Sequence, residues 1–309
     1  MTLDGRSIWL ERVNAIRQHQ RCAERAPHKP LLLLLALGRF STQGSSELTW
    51  PDAEEHLGRL LRDYGPPRKT NPAYPFRRLA NDRHLWVVET ATGEDPGETI
   101  GRLRELDAKG HLDPEFEAAL RADPALLVLI ARTLLEQNWP ATLHEEVATA
   151  CGLDLDRAEA ELVTSRLLAD RERTDRRRDP VFRERVLMAY EYRCAFCAFD
   201  GRLDATVVGL EAAHLRWWAH GGPDEVDNAV CLCTIHHRLL DRGVLGISAD
   251  HAVTVSRHFV GYSDAAQQLV LSLAGRPVRE PQPGEPPPAD HHVAWHAEQV
   301  FRGPARLAG

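Results

Sequence analysis

The chain lacks any apolar run long enough to span a membrane. No such run exceeds that of Leu31 to Leu37, seven residues, against the 20 or so that a bilayer-crossing helix needs. The opening Met1-Thr2-Leu3-Asp4-Gly5 is polar and does not read as a secretory leader. No internal repeat is visible, so a solenoid or array is not expected. Positive charge is also short: 38 Lys and Arg face 45 Asp and Glu, giving a net charge of -7. That argues against binding nucleic acid through overall charge, but a local basic surface remains open. Cysteine is sparse, with six in 309 residues, and four of the six fall between 194 and 233. Cysteines grouped as metal ligands rather than as a disulfide framework point to a reducing cytoplasm. With 43% hydrophobic and 27% charged residues, the chain can build two cores and is far from disordered composition.

The most informative tract begins at Cys194-x-x-Cys197. It continues through Leu210-Glu211-Ala212-Ala213-His214-Leu215, the turn-rich Gly221-Gly222-Pro223-Asp224 and Asn228, to Cys233-Thr234-Ile235-His236-His237. A C-x-x-C pair answered by a C-x-x-H pair supplies the four soft ligands of a closed tetrahedral zinc site, here Cys194, Cys197, Cys233 and His236. Cys231 fits less well, because only Cys233 stands two residues from His236. Cys22 and Cys151 are isolated, and an isolated cysteine is by default a small buried apolar residue. The stretch between the half-sites reads as strand, loop and helix.

This order of His, Asn and His on a zinc-pinned strand-loop-helix unit resembles the HNH nucleases of the ββα-metal fold, over roughly residues 185 to 250. Hydrolysing a phosphodiester requires a base for the attacking water and a cation for the charge that grows on the oxygens. The resemblance implies that His214 is that base, since imidazole titrates near neutral pH. It implies that Asn228 ties the loop and orients His214, and that His237 faces a catalytic divalent metal such as Mg2+ or Mn2+. Many HNH nucleases carry Asp or His directly before the base, whereas here that position is Ala213. Strand alternation puts Glu211 on the face of Ala213, so its carboxylate is a candidate replacement ligand. A zinc knuckle without catalysis would explain the cysteines alone, but not His214, Asn228 and His237.

Two basic clusters stand out. One comprises Arg62, Arg68, Lys69, Arg77, Arg78 and Arg83 around Pro72-Ala73-Tyr74-Pro75-Phe76; the other is Arg171 to Arg178. The second is either a solvated linker or a grip on phosphates beside the cut site. Ahead of them, Ile8, Leu10, Val13 and Ile16 predict an amphipathic helix over 6 to about 22. Pro30 opens a second, buried helix ending at Gly38, and Thr49-Trp50-Pro51-Asp52 begins a third through Leu61. Tyr74 to Leu79 and Leu85 to Val88 read as paired strands around Asn81-Asp82-Arg83, followed by a loop over 93 to 101. Helices are expected at 114 to 121, 124 to 136 and 142 to 150, with Gly152 as a stop, and a connecting helix over Leu155 to Leu168. Arg276 to Ala289 is proline-rich and extended, and a last helix starts near His292. His291, His292 and His296 are a conceivable second metal site.

Pro27-His28-Lys29-Pro30 leading into the leucine run, with Tyr74-Pro75-Phe76 before an Asn-Asp turn and Leu85-Trp86, resembles the sulfur-binding domain of McrA-type, type IV restriction endonucleases. Those enzymes cut phosphorothioate-modified DNA. Sulfur in place of a non-bridging oxygen keeps the charge but is larger and more weakly hydrated, so a selective site needs an apolar cup in a positive rim. The resemblance implies Pro75, Tyr74 and the stem of Arg78 as the cup, and Lys29, Arg78 and the loop residue Arg102 as the rim, with His28 nearby. Read blandly, Tyr74 and Pro75 enter an ordinary strand, His28 caps a helix, and Lys29 and Arg102 are solvated charges.

The expected protein is α+β. A mainly helical sulfur-binding domain with a small sheet (1 to 153) precedes a helical basic linker (154 to 180) and a zinc-containing ββα-metal HNH domain (181 to 309). Its expected partner is double-stranded phosphorothioated DNA, acted on by a homodimer or by successive nicks. A nuclease reading methylated or hydroxymethylated cytosine, or a zinc-stabilised non-catalytic regulator, stands as the alternative.

Overall fold

In the computed structural model, residues 3–17, 20–21, 24–82, 84–158 and 180–307 are described. Cys22, Arg83, the 171–178 basic run and most of the expected Leu155 to Leu168 helix lie outside them. The chain divides into two compact units, Met1–Asp175 and Arg176–Gly309. Helices dominate the first and small antiparallel sheets accompany them throughout, so the protein is α+β. Among the described residues no helix is long and apolar enough to cross a membrane.

The first unit runs α1 (Leu3–Asn14), β1 (Gln20–Arg21), β2 (Glu24–Arg25), α2 (His28–Gln43), β3 (Leu48–Thr49), α3 (Trp50–Tyr64), α4 (Ala73–Arg78), β4 (Trp86–Glu89), α5 (Ile100–Glu105), β5 (Lys109–Leu112), α6 (Pro114–Ala122), α7 (Pro124–Asn138) and α8 (Ala141–Ala150). Helix α2 is its axis. Leu31 to Leu37 are buried on every side, which requires neighbours all round, and α3, α4 and α7 supply them. Gly38 does not end this helix as the sequence suggested; α2 continues to Gln43 and stops at left-handed Gly44. Gly38 serves packing instead: a Cβ there would lie 1.8 Å from the carbonyl oxygen of Cys151. As expected, α3 starts on a Thr49 cap that accepts from the Asp52 amide, with Pro51 in the first turn.

Tyr74 to Leu79 is the main departure. The segment forms helix α4 rather than a strand, and β4 pairs with β5 in a sheet of order β3-β5-β4, with Trp86 opposite Leu112. Pro75 suits a first helical turn, where its missing N–H costs nothing, and a strand there would have lost a ladder bond. Phe76 then sits edge-on between Trp50 and Trp86, and Trp86 Nε1 donates to the Phe76 carbonyl at 2.9 Å. The loop expected over 93 to 101 gives way to α5 at Ile100, so Arg102 is helical, not a loop residue.

The second unit runs α9 (Pro180–Ala189), β6 (Arg202–Leu203), β7 (Thr206–Val207), β8 (Leu210–His214), β9 (Ala229–Cys233), α10 (Thr234–Asp241), β10 (Leu245–Ile247), β11 (Val253–Val255), α11 (Asp264–Leu269) and α12 (Asp290–Gln299). Strands β8 and β9 pair antiparallel with Leu210 opposite Cys233 and His214 opposite Ala229. Both α9 and α10 pack on this hairpin, over a core that includes Val186, Tyr190, Leu210, Ala213, Val230, Leu232 and Leu240. Strand, loop, strand and helix follow the expected ββα order.

Gly38→Ala should lower the stability of the first unit by about 1 to 3 kcal/mol, because the methyl would force α2 away from the chain at Cys151. A thermal unfolding midpoint equal to wild type would contradict that close approach.

Candidate metal centre and active site

The hairpin register and the start of α10 bring two half-sites together. One ligand atom from each of Cys194, Cys197, Cys233 and His236 lies within 4.8 Å of all the others. His236 Nδ1 is 3.4 Å from Cys194 Sγ and 3.3 Å from Cys233 Sγ. Adjacent donors around a tetrahedral zinc stand roughly 3.6 Å apart, so the four fit that ion with little adjustment. His236 Nε2 is 2.7 Å from the Leu269 carbonyl. A carbonyl only accepts, so Nε2 carries a proton, and Nδ1 is the nitrogen that would turn a lone pair to an ion among the thiols. Hydrogen bonds from Cys197, Cys233 and His236 push the Cys194 thiol far below its usual pKa. Cys231 and Cys151 lie in apolar surroundings, and burial pushes each thiol up to about 12. They are inert packing residues.

Beside this cluster, Glu211 and His237 meet: Glu211 Oε2 lies 2.6 Å from His237 Nδ1. That bond holds the Glu211 carboxyl below its ordinary pKa against the opposing pull of burial. Donors that bind a divalent ion at about 2.1 Å and at right angles stand about 3 Å apart, so this pair fits after opening by a few tenths of an ångström. One carboxylate with one imidazole suits manganese and its neighbours as well as magnesium. The other face of His237 meets Asp241, whose Oδ2 is 3.3 Å from Nε2.

His214, three residues from Glu211 along β8, has a different environment. Its Nε2 is 2.8 Å from Asp224 Oδ1, and its ring stacks on Phe182 of α9 with centroids 4.7 Å apart. Sequence reading missed Asp224; only its place in the Gly221-Gly222-Pro223-Asp224 turn hints at it. Asn228 is fully buried and ties the loop in three places. Its Oδ1 accepts from the Arg216 amide at 2.9 Å, and its Nδ2 donates to the Arg216 and Pro223 carbonyls at 3.0 and 2.9 Å. Gly222 is obligatory beneath it, since a Cβ there would fall 1.8 Å from the Arg216 carbonyl oxygen. His291, His292 and His296 do not form a metal group. Among the described residues the groups of three or more side chains that could hold an ion are the Cys/His cluster and His84, Asp113 and Glu115, while His296 Nε2 is taken by the Leu240 carbonyl at 3.0 Å.

In the first unit, helix α4 makes Tyr74 and Arg78 neighbours, because residues four apart share a face. The Arg78 guanidinium lies 4.7 Å from the centroid of the Tyr74 ring, which is 43% exposed, and Pro75 is buried beside them. Glu98 grips Arg78 through two hydrogen bonds of 2.7 and 2.6 Å, raising the guanidinium pKa and lowering that of the carboxyl. Asp95 grips Arg77 in the same way, and its own pKa falls to about 2. Arg102 joins Glu94 and Glu105. Lys29 is not a solvated rim charge: it is largely buried in an ion pair with Asp82. His28 Nε2 is 3.4 Å from the Thr70 hydroxyl.

Residues 6–156 match the family model of the ScoMcrA-like DNA sulfur-binding domain, and residues 194–248 match that of the HNH endonuclease. The chain joins a sulfur-binding domain to an HNH nuclease. Solved structures similar to it include the sulfur binding domain of SprMcrA complexed with phosphorothioated DNA, at 24% identity and TM-score 0.40, covering 47% of this chain and 94% of that one. The corresponding domain of ScoMcrA with phosphorothioated DNA shows 26% identity and TM-score 0.40, covering 48% and 96%. The modification dependent TagI restriction endonuclease shows 25% identity and TM-score 0.33, covering 41% and 40%. No curated protein matches the chain at a significant level.

Iodoacetamide should leave Cys151 and Cys231 of the folded chain unlabelled, and should reach Cys194, Cys197 and Cys233 only after a strong chelator has been added. Peptide mass mapping reads the pattern. Equal labelling of the three before and after chelation would exclude a bound metal at the cluster.

Proposed function

We propose that the protein is a modification-dependent DNA endonuclease, in which residues 1–153 recognise a phosphorothioate in double-stranded DNA and residues 181–309 hydrolyse the backbone nearby, with 154–180 as the linker. The observation that carries this reading is the union, in one chain, of a sulfur-binding match with an HNH segment whose carboxylate and imidazole meet 2.6 Å apart on a hairpin-helix unit.

In the nuclease, His214 accepts a proton from the attacking water. Asp224, already bonded to Nε2, offsets the positive charge that the ring acquires. Asn228 fixes the path of the chain from Arg216 to Pro223, which sets where Asp224 meets His214. Glu211 and His237 are the residues that would hold a divalent cation; such an ion would stabilise charge on the phosphate oxygens. Zinc at Cys194, Cys197, Cys233 and His236 serves the fold by clamping the start of α10 to the loop ahead of the hairpin.

In the sulfur-binding domain, the Tyr74 ring, the Pro75 side and the stem of Arg78 form an apolar wall that would lie against sulfur. Arg78 and Arg102 turn charge-assisted hydrogen bonds from Glu98 and Glu94 to the phosphate. Lys29 and His28, at the start of α2, support the site structurally, Lys29 paired with Asp82 and His28 meeting the Thr70 hydroxyl. An unmodified oxygen pressed on that wall loses hydration worth about 1 to 3 kcal/mol, which separates the two duplexes roughly tenfold to a hundredfold. With one HNH site per chain, cutting both strands takes a homodimer or two successive nicks. A restriction enzyme of this kind acts in the cytoplasm, where the DNA is.

Matched duplexes with one phosphorothioate, with plain phosphate or with methylated cytosine, passed over the immobilised chain, test the recognition. Retention of the sulfur duplex at least tenfold above the others is expected, and Arg78→Ala should abolish the preference; equal retention would sink it. His214→Ala should reduce Mn2+-dependent nicking of the phosphorothioated duplex by a hundredfold or more while leaving retention intact, in line with the usual worth of a general base.

A further inference from the structure

Helix α10 ends on Asp241, a carboxylate 3% exposed. A charge so deeply buried is tolerated only when its oxygens are well occupied. Oδ1 accepts from Trp217 Nε1 at 3.0 Å, and Oδ2 lies 3.3 Å from His237 Nε2. Trp217 follows the end of β8, three residues past His214, so one carboxylate joins the exit of the strand carrying His214 to the helix carrying His237. We infer that Asp241 is a positioning residue: it holds the His237 ring with Nε2–H turned inward, and so presents Nδ1, beside Glu211, to a divalent cation. This rests on the reading that Glu211 and His237 hold the ion.

The chemistry of the three partners leaves little choice. A carboxylate only accepts and an indole N–H only donates, so both neighbours of Asp241 act as donors. Each ring nitrogen of His237 faces a carboxylate, Nε2 that of Asp241 and Nδ1 that of Glu211 at 2.6 Å; an ion beside Glu211 would take the place of the Nδ1 proton, and Asp241 then keeps the remaining proton on Nε2. The spacing of four residues on α10 places Asp241 one turn beyond His237 on the same face. That turn is held independently, because His296 Nε2 donates to the Leu240 carbonyl at 3.0 Å. A carboxylate behind a ligating imidazole fixes its tautomer and raises its basicity, and losing such a partner costs about tenfold to a hundredfold in metal affinity.

Asp241→Asn preserves the size of the side chain and keeps an oxygen for Trp217, but turns an N–H toward His237 and so favours the tautomer that closes Nδ1. Calorimetric titration of Mn2+ into the zinc-loaded full chain should show affinity about tenfold to a hundredfold weaker in this variant, with zinc content and far-ultraviolet circular dichroism as in wild type. Trp217→Phe, which removes the indole bond and keeps the carboxylate on the ring, should bind Mn2+ nearly as wild type does. Wild-type Mn2+ affinity in Asp241→Asn overturns the inference. If that variant does not fold, long-range proton–nitrogen spectra of the wild-type chain with Mg2+ decide it: His237 protonated on Nε2 supports the inference and His237 protonated on Nδ1 overturns it. Absence of any Mn2+ uptake by wild type would instead strike the ion site itself, and the role of Asp241 with it.

Discussion

Everything in the second unit depends on three thiols and an imidazole converging on one point. Such a group is unfavourable on its own, because thiolates crowded into a partly buried space repel one another and lose water. A soft divalent cation reverses the sign of that interaction. With an ion shared by Cys194, Cys197, Cys233 and His236, the start of α10 would be fixed relative to the hairpin, and His237, the next residue along, would inherit its position. The Leu269 carbonyl behind His236 is a small part of this arrangement with a large effect, since it decides which ring nitrogen faces the thiols.

The active-site tract was legible in the sequence because its chemistry is local. Metal half-sites announce themselves by spacing, and Glu211 follows from strand alternation about Ala213, the position that the HNH resemblance singles out; the structure joins it to His237. Asp241 was also within reach, since it stands four residues after His237 on a helix. Asp224 was not, because a loop residue that folds back on a strand has no period to betray it. In the first unit, Tyr74 to Leu79 reads as a strand because an aromatic-containing run stands before the Asn81-Asp82-Arg83 turn and a second apolar run follows it. Burial of Phe76 between two tryptophans overrides that pattern. The strand that β4 does pair with, Lys109–Leu112, carries a glycine and two polar residues. Gly110 is there because a Cβ would collide with Trp86, a reason visible only in three dimensions.

The two units manage buried charge in contrasting ways. In the first, Lys29 and Asp82 are sealed together, and Asp82 also receives the Arg17 amide at 3.1 Å, so the pair secures the chain around the start of α2. In the second, buried carboxylate and amide groups are spent on aiming rings and loops: Asp241 at His237 and Trp217, Asn228 across the chain from Arg216 to Pro223. A group of the first kind can be exchanged for an apolar pair with modest loss, but one of the second kind cannot, because its value lies in direction.

Arg77, Arg78 and Arg102 each have a carboxylate partner, drawn from Asp95, Glu98, Glu94 and Glu105. An unattached arginine sweeps many rotamers, and freezing it on a target costs around 2 kcal/mol of side-chain entropy. Here much of that ordering precedes any encounter. On the proposed reading the surface would work as an anion exchanger with its resins already aligned, which would reconcile an acidic chain of net charge -7 with a polyanionic target: the incoming polymer would trade places with carboxylates built into the same fold.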